Sequence, residues 1–121
     1  MAIYKQINPI ERAGSEPLNE LKIKVAYTKG GYNSKRGIYA YIIPVHRQQV
    51  AGGNIESCSL LGEVRECGFK VCLREMARKS QKVEDQITAA VESHADKIVE
   101  NWNNGDYHAI SRLLLTTTAQ G

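Results

Sequence analysis

A loop with the sequence TKGGYNSKR carries residue types that bind anions. Consecutive backbone N–H groups around Gly30 and Gly31 can form a concave nest for a phosphate. Lys29 and Arg36 add positive charge, and a guanidinium can hold a phosphate with two donors. The side-chain amide of Asn33 suits the edge of a base or a ribose. Because a tight hairpin needs only about two loop residues, the extra length predicts a phosphate-contacting wall.

A second stretch, NNGDYHAISR, combines helix-terminating residues with groups that could contact a nucleotide. Gly105 suits a left-handed helix C-cap and Asp106 suits an N-cap, so helix punctuation explains this pair without a ligand. The exposed N–H groups of the following helix attract anions, although a carboxylate at the cap disfavours phosphate. Tyr107 and His108 could stack on a base, with Arg112 about one turn further on.

The residues that usually support catalysis do not form a pattern in this sequence. His46, His94 and His108 lie far apart, and no Walker motif or G-x-S-x-G motif is present. His94 lies on an apolar helical stripe, which predicts a core histidine with hydrogen-bond partners. We therefore expect a binding protein rather than an enzyme, with no cofactor and no bound metal.

The cysteines and the hydropathy pattern bear on the cellular compartment. Cys58, Cys67 and Cys72 are odd in number and lack C-x-x-C spacing, which favours free thiols in a reducing cytoplasm. No run approaches the length of a membrane span, and the N-terminus lacks the pattern of a secretion signal. The sequence predicts a cytoplasmic protein that does not enter membranes.

The charge is unevenly distributed along the chain. Residues 21–55 contain six basic and no acidic residues, a charge of +6. The other ten basic residues lie among all thirteen acidic ones, which gives −3 for the rest of the chain. This asymmetry favours a phosphate-bearing partner for the first half. A solvated strand face kept soluble by lysines explains Lys22 and Lys24 equally well.

Period-two patterns predict strands in the first half of the chain. LKIKVAY alternates apolar and polar residues, which is typical of a half-buried strand, and GIYAYIIPV is apolar on both faces, which is typical of a central one. AIYKQI at the start and IESCSLL at residues 55–61 are weaker candidates. The intervening NPIERAGSEP is rich in turn residues and predicts an irregular excursion.

Helical spacing predicts helices in the second half. Apolar residues from Val64 to Met76 indicate a helix that ends at ARKS, or one that starts only after Gly68. Ser80 can cap the next helix, whose apolar stripe continues to Trp102 and ends at NNG. A last short helix carries Tyr107, Ile110, Leu113 and Leu114, and a frayed tail follows.

Strands followed by helices predict a single α+β domain, with helices packed on a small antiparallel sheet. We expect residues 1–62 to form the sheet, residues 63–116 the helices and residues 117–121 the tail. A sheet of three or four strands leaves one edge and one face exposed, because a short chain has few further residues to cover them. We therefore expect a homo-oligomer, either a dimer or a dimer-based hexamer.

Several short motifs together resemble one known family. The pattern Y-x-K-G-G-Y-N at residues 27–33, RGIY from Arg36, PV at Pro44 and RKS at Arg78 are similar to the phage anti-Thoeris family of signal sponges. That family sequesters cyclic ADP-ribose signals made by bacterial TIR enzymes, and some members trap cyclic oligonucleotides. The resemblance implies an N-terminal antiparallel sheet, C-terminal helices, oligomeric assembly and action in the host bacterial cell.

The resemblance assigns ligand contacts to the glycine loop, to Arg36 and to the turn at residues 105–108. It implies a protein that binds a cyclic nucleotide signal and does not cleave it. Two alternatives stay open. One is a protein-binding inhibitor, such as an anti-CRISPR, that blocks a nucleic-acid-binding effector. The other is a transcriptional regulator, but no helix shows the basic recognition face of a helix-turn-helix, so we do not expect binding to nucleic acid.

Overall fold

A computed structural model of the chain describes residues 2–31, 35–46 and 64–119. Its strands form one antiparallel sheet in the order β1-β2-β3-β4. The strands are β1 (Ala2–Arg12), β2 (Ser15–Thr28), β3 (Gly37–Val45) and β4 (Phe69–Glu75). The helices are α1 (Val64–Cys67), α2 (Gln81–Glu92), α3 (Ala95–Asn103) and α4 (Tyr107–Thr117). The predicted α+β layout is confirmed, and the strand candidate at residues 55–61 lies outside the described residues.

The first two strands form a long hairpin where an irregular excursion was predicted. Gly14 has φ +71° in the tight turn between them, a conformation that glycine adopts without strain. Ile10 pairs with Leu18 and both are buried in the core, so the pattern of burial continues through the supposed loop. The prediction was wrong because Pro9 lies in an edge strand, beside a register irregularity, where its missing N–H costs no ladder hydrogen bond.

Strand β3 is central, as its sequence predicted, and it is buried on both faces. Ile38, Ala40 and Ile42 are fully buried beneath the helices. On the opposite face, Tyr39 and Val45 are only 5% and 8% exposed within a single chain. Tyr41 and Ile43, on the same face as Tyr39, are half-buried.

Strand β4 replaces the helix predicted from Val64 to the ARKS sequence. Gly68 ends α1 after one turn, with φ +82°, and donates to the carbonyl of Val64 at 2.7 Å. A Cβ at Gly68 would lie 2.3 Å from the carbonyl oxygen of Ile42, so the close approach of the two backbones also requires glycine. The chain then pairs with β3 and directs Phe69, Val71 and Leu73 toward the core.

The long amphipathic pattern that was predicted as one helix is divided into α2 and α3. Ser80 caps α2 as expected, since its hydroxyl accepts from the N–H of Val83. The break comes at Ser93 and His94, where the Ser93 hydroxyl and the imidazole Nδ1 both bond the carbonyl of Ala90. His94 Nε2 lies 3.1 Å from the Thr117 hydroxyl, so the predicted hydrogen-bond partners are present. The side chain is half-buried and lies outside the hydrophobic core, so the prediction of a core position was wrong.

One hydrophobic core lies between the sheet and the three longer helices. The helices contribute fully or almost fully buried side chains, which are Ile87, Val91, Ala95, Ile98, Trp102, Ile110 and Leu114. The C-terminal tail begins later than predicted. Thr118 is buried, and its carbonyl accepts a hydrogen bond from Arg74 at 2.9 Å, which ties the end of α4 to β4.

The cysteine prediction is half right. Cys72 is a free, half-buried thiol, whereas Cys67 at the end of α1 is disulfide-bonded, so the expectation of free thiols throughout is wrong. In the described ranges, no helix has the length and apolar character needed to cross a membrane.

Candidate functional site

The turn between α3 and α4 is fixed by two caps that share adjacent residues. Gly105 has φ +74°, and the N–H groups of Gly105 and Asp106 donate back into the last turn of α3 at 3.0 and 2.9 Å. This is a Schellman arrangement, which satisfies the free carbonyls at a helix end. The Asp106 carboxylate then accepts from the N–H of Ala109 at 3.1 Å and begins α4. Both capping predictions are confirmed, and together they fix where Tyr107 enters α4.

Three aromatic side chains meet beside this turn. The ring centroids of Trp102 and Tyr107 are 4.9 Å apart. Phe69 at the start of β4 lies 6.4 Å from each of them, nearly parallel to Trp102 and steeply inclined to Tyr107. Trp102 is 4% exposed, whereas Phe69 and Tyr107 are half-buried. Packing therefore holds the two outer rings in place while part of each surface stays accessible.

A cavity of about 360 Å³ opens next to the two accessible rings. Its walls come from the start of α1, the start of β4 and the first turn of α4. The lining residues are Val64, Phe69, Gly105, Asp106, Tyr107, His108 and Ser111. Four predicted contact residues, those at positions 105–108, therefore line one cavity. Arg112 is exposed on α4 and is not among the lining residues.

A smaller cavity of about 80 Å³ lies on another side of Tyr107. It is lined by Asn8, Pro9, Ile10, Arg65, Trp102, Asn103 and Tyr107. The two cavities carry opposite charges, since Asp106 lines the larger one and Arg65 lines the smaller one. Arg65 is exposed and makes no ion pair with any described residue.

The glycine loop forms a different environment at the end of β2 and β3. Lys29 and Gly31 are exposed, and Gly30 has φ +78° with its N–H donating to the Thr28 hydroxyl at 3.2 Å. Asn33 lies outside the described residues. The Arg36 guanidinium donates to the carbonyls of Lys29 at 3.3 Å and Ala77 at 3.4 Å. Two of its donors thus hold the backbone, where the sequence predicted that they grip a phosphate.

Tyr27 donates hydrogen bonds that hold the segment next to the glycine loop, and Glu84 accepts one of them. The hydroxyl of Tyr27 is within 3.3 Å of the carbonyls of Met76 and Ala77. Its backbone N–H donates to the Glu84 carboxylate at 2.9 Å, and Lys79 lies 4.0 Å from the same carboxylate. These contacts join the end of β2 to the segment after β4 and to α2, so they stabilise the fold around the loop.

The two predicted binding regions lie at opposite ends of β4. Gly37, which follows the glycine loop, pairs with Glu75, whereas Ile42 pairs with Phe69 beside the larger cavity. Six residue steps of about 3.3 Å separate Phe69 from Glu75, so the regions are about 20 Å apart. The glycine loop and the larger cavity are therefore separate regions of the protomer.

Phe69, Trp102 and Arg65 were not predicted as site residues. The helix predicted between Val64 and the ARKS sequence concealed the first of them. A usable signal was present, because FKVCLRE alternates apolar and polar side chains and so has the period of a strand. Nothing local distinguishes Arg65 from any other exposed arginine, since its place beside the cavity depends on β1 and α3.

Tyr39, Cys72 and Lys70 form a polar cluster on the face of the sheet opposite the helices, and packing explains it. Burial raises the pKa of Tyr39, and the neighbouring Cys72 thiol raises it further. The Tyr39 hydroxyl donates to the carbonyl of Lys35 at 2.7 Å, and the Lys70 ammonium lies 5.4 Å from the ring centroid. A phenol held in its neutral form in this way supports the fold and does not serve as a base near neutral pH.

Comparison of the chain with models of known families, with curated proteins and with solved structures finds no significant match. The resemblance to the anti-Thoeris sponges therefore stays a prediction from the motifs.

Proposed function

We propose that this protein binds a cyclic nucleotide immune signal and sequesters it without cleaving it, as a phage anti-defence protein would. The observation that supports this function is the cavity walled by Phe69 and Tyr107. Its volume of about 360 Å³ falls at the lower end of the range of small-molecule sites, about 300–1,000 Å³. A base stacked on an aromatic side chain gains about 1–3 kcal/mol, whatever the base.

The charge in the larger cavity favours a base there rather than a phosphate. Asp106 uses one carboxylate oxygen to cap α4. Since an ionised carboxylate offers about four acceptor positions, capacity remains for the exocyclic amino group of a base. The same negative charge repels a phosphate. His108, which is exposed at the rim, offers a further hydrogen-bonding group to the ring edge.

Sequestration without cleavage needs its own test, because Asp106, His108 and Ser111 line the same cavity. These residue types serve in hydrolytic triads, in which hydrogen bonds link the nucleophile, the base and the orienting group. Among the described residues no hydrogen bond joins any two of the three, and Asp106 is engaged as a cap. We therefore propose that the bound nucleotide is released chemically unchanged.

The single tryptophan provides a direct binding assay. Trp102 is the only tryptophan of the chain and lies 4.9 Å from Tyr107, so a ligand stacked on Tyr107 should change its fluorescence. Cyclic ADP-ribose and cyclic dinucleotides are titrated into the whole protein, and calorimetry measures the same affinities. The complex is then denatured, and mass spectrometry identifies what is released.

Two tyrosine variants locate the binding site. Tyr107→Ala should weaken binding by about fivefold to 150-fold, the equivalent of about 1–3 kcal/mol. Tyr4→Ala is the matched control, because Tyr4 is 53% exposed on β1 and lines neither cavity. Failure of every nucleotide to bind would contradict the proposed function and favour the protein-binding inhibitor. A cleaved product in excess of the protein would contradict sequestration.

The proposal includes assembly as a homodimer or dimer-based hexamer and action in the bacterial cytoplasm. The disulfide at Cys67 bears on the second point, because disulfides persist mainly in oxidising compartments. Cell fractionation tests the location. Free thiols are blocked during lysis, so that those counted in each fraction reflect the state in the cell. Recovery from the cytoplasmic fraction would agree with the proposed location, and recovery from an oxidising fraction would contradict it.

A further inference from the structure

Helix α1 joins the two cavities around Tyr107. Val64 lines the larger cavity, and the next residue, Arg65, lines the smaller one. Tyr107 lines both, so its side chain separates an aromatic compartment from a cationic one. The smaller cavity, at about 80 Å³, has space for a group of the size of a phosphate.

Asn103 adds hydrogen-bond donors to the cationic compartment. Its Oδ1 accepts from the backbone N–H of Asn8 at 2.9 Å. Only the oxygen of an amide can accept such a bond, so the orientation of the side chain is fixed and its NH₂ group keeps its donors. Arg65 and Asn103 both line this cavity, and the side chain of each carries N–H donors.

We propose that a nucleotide binds across Tyr107, with its base in the larger cavity and a phosphate in the smaller one, held by Arg65 and Asn103. This inference rests on the proposed function and specifies how the ligand is oriented. The charges agree with that orientation, since the acidic residue Asp106 lines the cavity on the base side and the basic residue Arg65 lines the one on the phosphate side. The reverse orientation would bring the phosphate to a carboxylate.

The test compares nucleosides with their 5′-monophosphates by calorimetry on the whole protein. The four common ribonucleosides and their monophosphates serve as probes, so that the identity of the base is not assumed. The parent protein should bind at least one monophosphate more tightly than its nucleoside. In Arg65→Ala the monophosphate should lose between about tenfold and a hundredfold in affinity, the scale of a hydrogen bond to a charged group. The affinity for the nucleoside should fall by less than about twofold, well below the tenfold change that corresponds to 1.4 kcal/mol.

Matched variants separate this contact from a general charge effect. Arg78→Ala removes an exposed arginine from the segment after β4, at the end of the strand away from Phe69, and should leave both affinities unchanged. Arg65→Lys keeps the charge but loses the planar pair of donors and should be intermediate. Melting curves confirm that each variant is folded.

The outcomes distinguish the inference from the function on which it rests. If no nucleoside, monophosphate or cyclic nucleotide binds, both are overturned. If binding depends on Tyr107 but Arg65→Ala weakens the nucleoside and its monophosphate equally, or weakens neither, the function stands and the orientation is wrong. A selective loss for the monophosphate supports the orientation.

Discussion

Replacing Arg36 by alanine distinguishes the glycine loop from the cavity as the ligand site. Arg36 donates two hydrogen bonds to backbone carbonyls, at 3.3 and 3.4 Å, and both are exposed. Long exposed bonds belong at the lower end of the usual range, about 0.5 kcal/mol each, so the free energy of unfolding should fall by about 1 kcal/mol. For a domain of this size, the melting temperature should fall by about 3–5 °C. The affinity for a nucleotide should stay within about twofold of the parent's, well below the tenfold change that corresponds to 1.4 kcal/mol.

Urea unfolding followed by circular dichroism measures the stability, and calorimetry with cyclic ADP-ribose or a cyclic dinucleotide measures the affinity. Lys29→Ala is the control, because its ammonium makes no ion pair with a described residue and its removal leaves the backbone contacts of Arg36 in place. A tenfold or greater loss of affinity in Arg36→Ala, with unfolding unchanged, would refute this reasoning. The glycine loop would then contact the phosphate, as the sequence alone predicted.

Three further predictions concern the backbone, the pH dependence and the assembly. Gly105→Ala should cost about 1–2 kcal/mol through its positive φ alone, because a Cβ there meets nothing within 4 Å. Gly68→Ala should cost more in the same urea unfolding, because its Cβ would lie 2.3 Å from a carbonyl oxygen, and equal losses would contradict this close backbone approach. Burial raises the pKa of Tyr39 above 10.0, so the unfolded chain ionises first and the stability due to this residue is lost as pH rises beyond that value. As pH rises beyond 10.0, Tyr39→Phe should therefore lose less stability than the parent, and parallel curves of stability against pH would show that the residue does not titrate in this way. Light scattering should give a multiple of the 13.5 kDa chain mass, and a monomer at micromolar concentration would contradict the proposed assembly.

Local capping chemistry was the most predictable part of the structure. Ser80, Gly105 and Asp106 each act within a few residues of chain, and their bonds to neighbouring N–H groups or carbonyls depend on little else. The strands with clear alternation were equally predictable, because apolar and polar side chains that alternate along the sequence indicate directly which ones are buried. For the same reason the turn at residues 105–108 was identified as a candidate before its cavity was known.

The parts that sequence reasoning missed depend on contacts between distant segments. Val64 to Met76 fits a helical stripe, yet pairing with β3 and the backbone approach at Gly68 make most of it a strand. The α2–α3 break is fixed partly by Thr117, which lies far along the chain from His94. Arg36 was assigned to a ligand because its partner carbonyl at Ala77 is forty-one residues away.

The proposed cavity can be tested most directly by nuclear magnetic resonance. Two-dimensional ¹H–¹⁵N spectra of the whole protein are recorded while cyclic ADP-ribose or a cyclic dinucleotide is added. The amides of Phe69 and of residues 105–108 and the indole N–H of Trp102 should shift together in proportion to occupancy. The amides of Lys29, Gly30 and Gly31, about 20 Å away along the sheet, should stay in place. Shifts confined to these three loop amides, with Trp102 unchanged, would contradict the proposal that the ligand binds beside Tyr107.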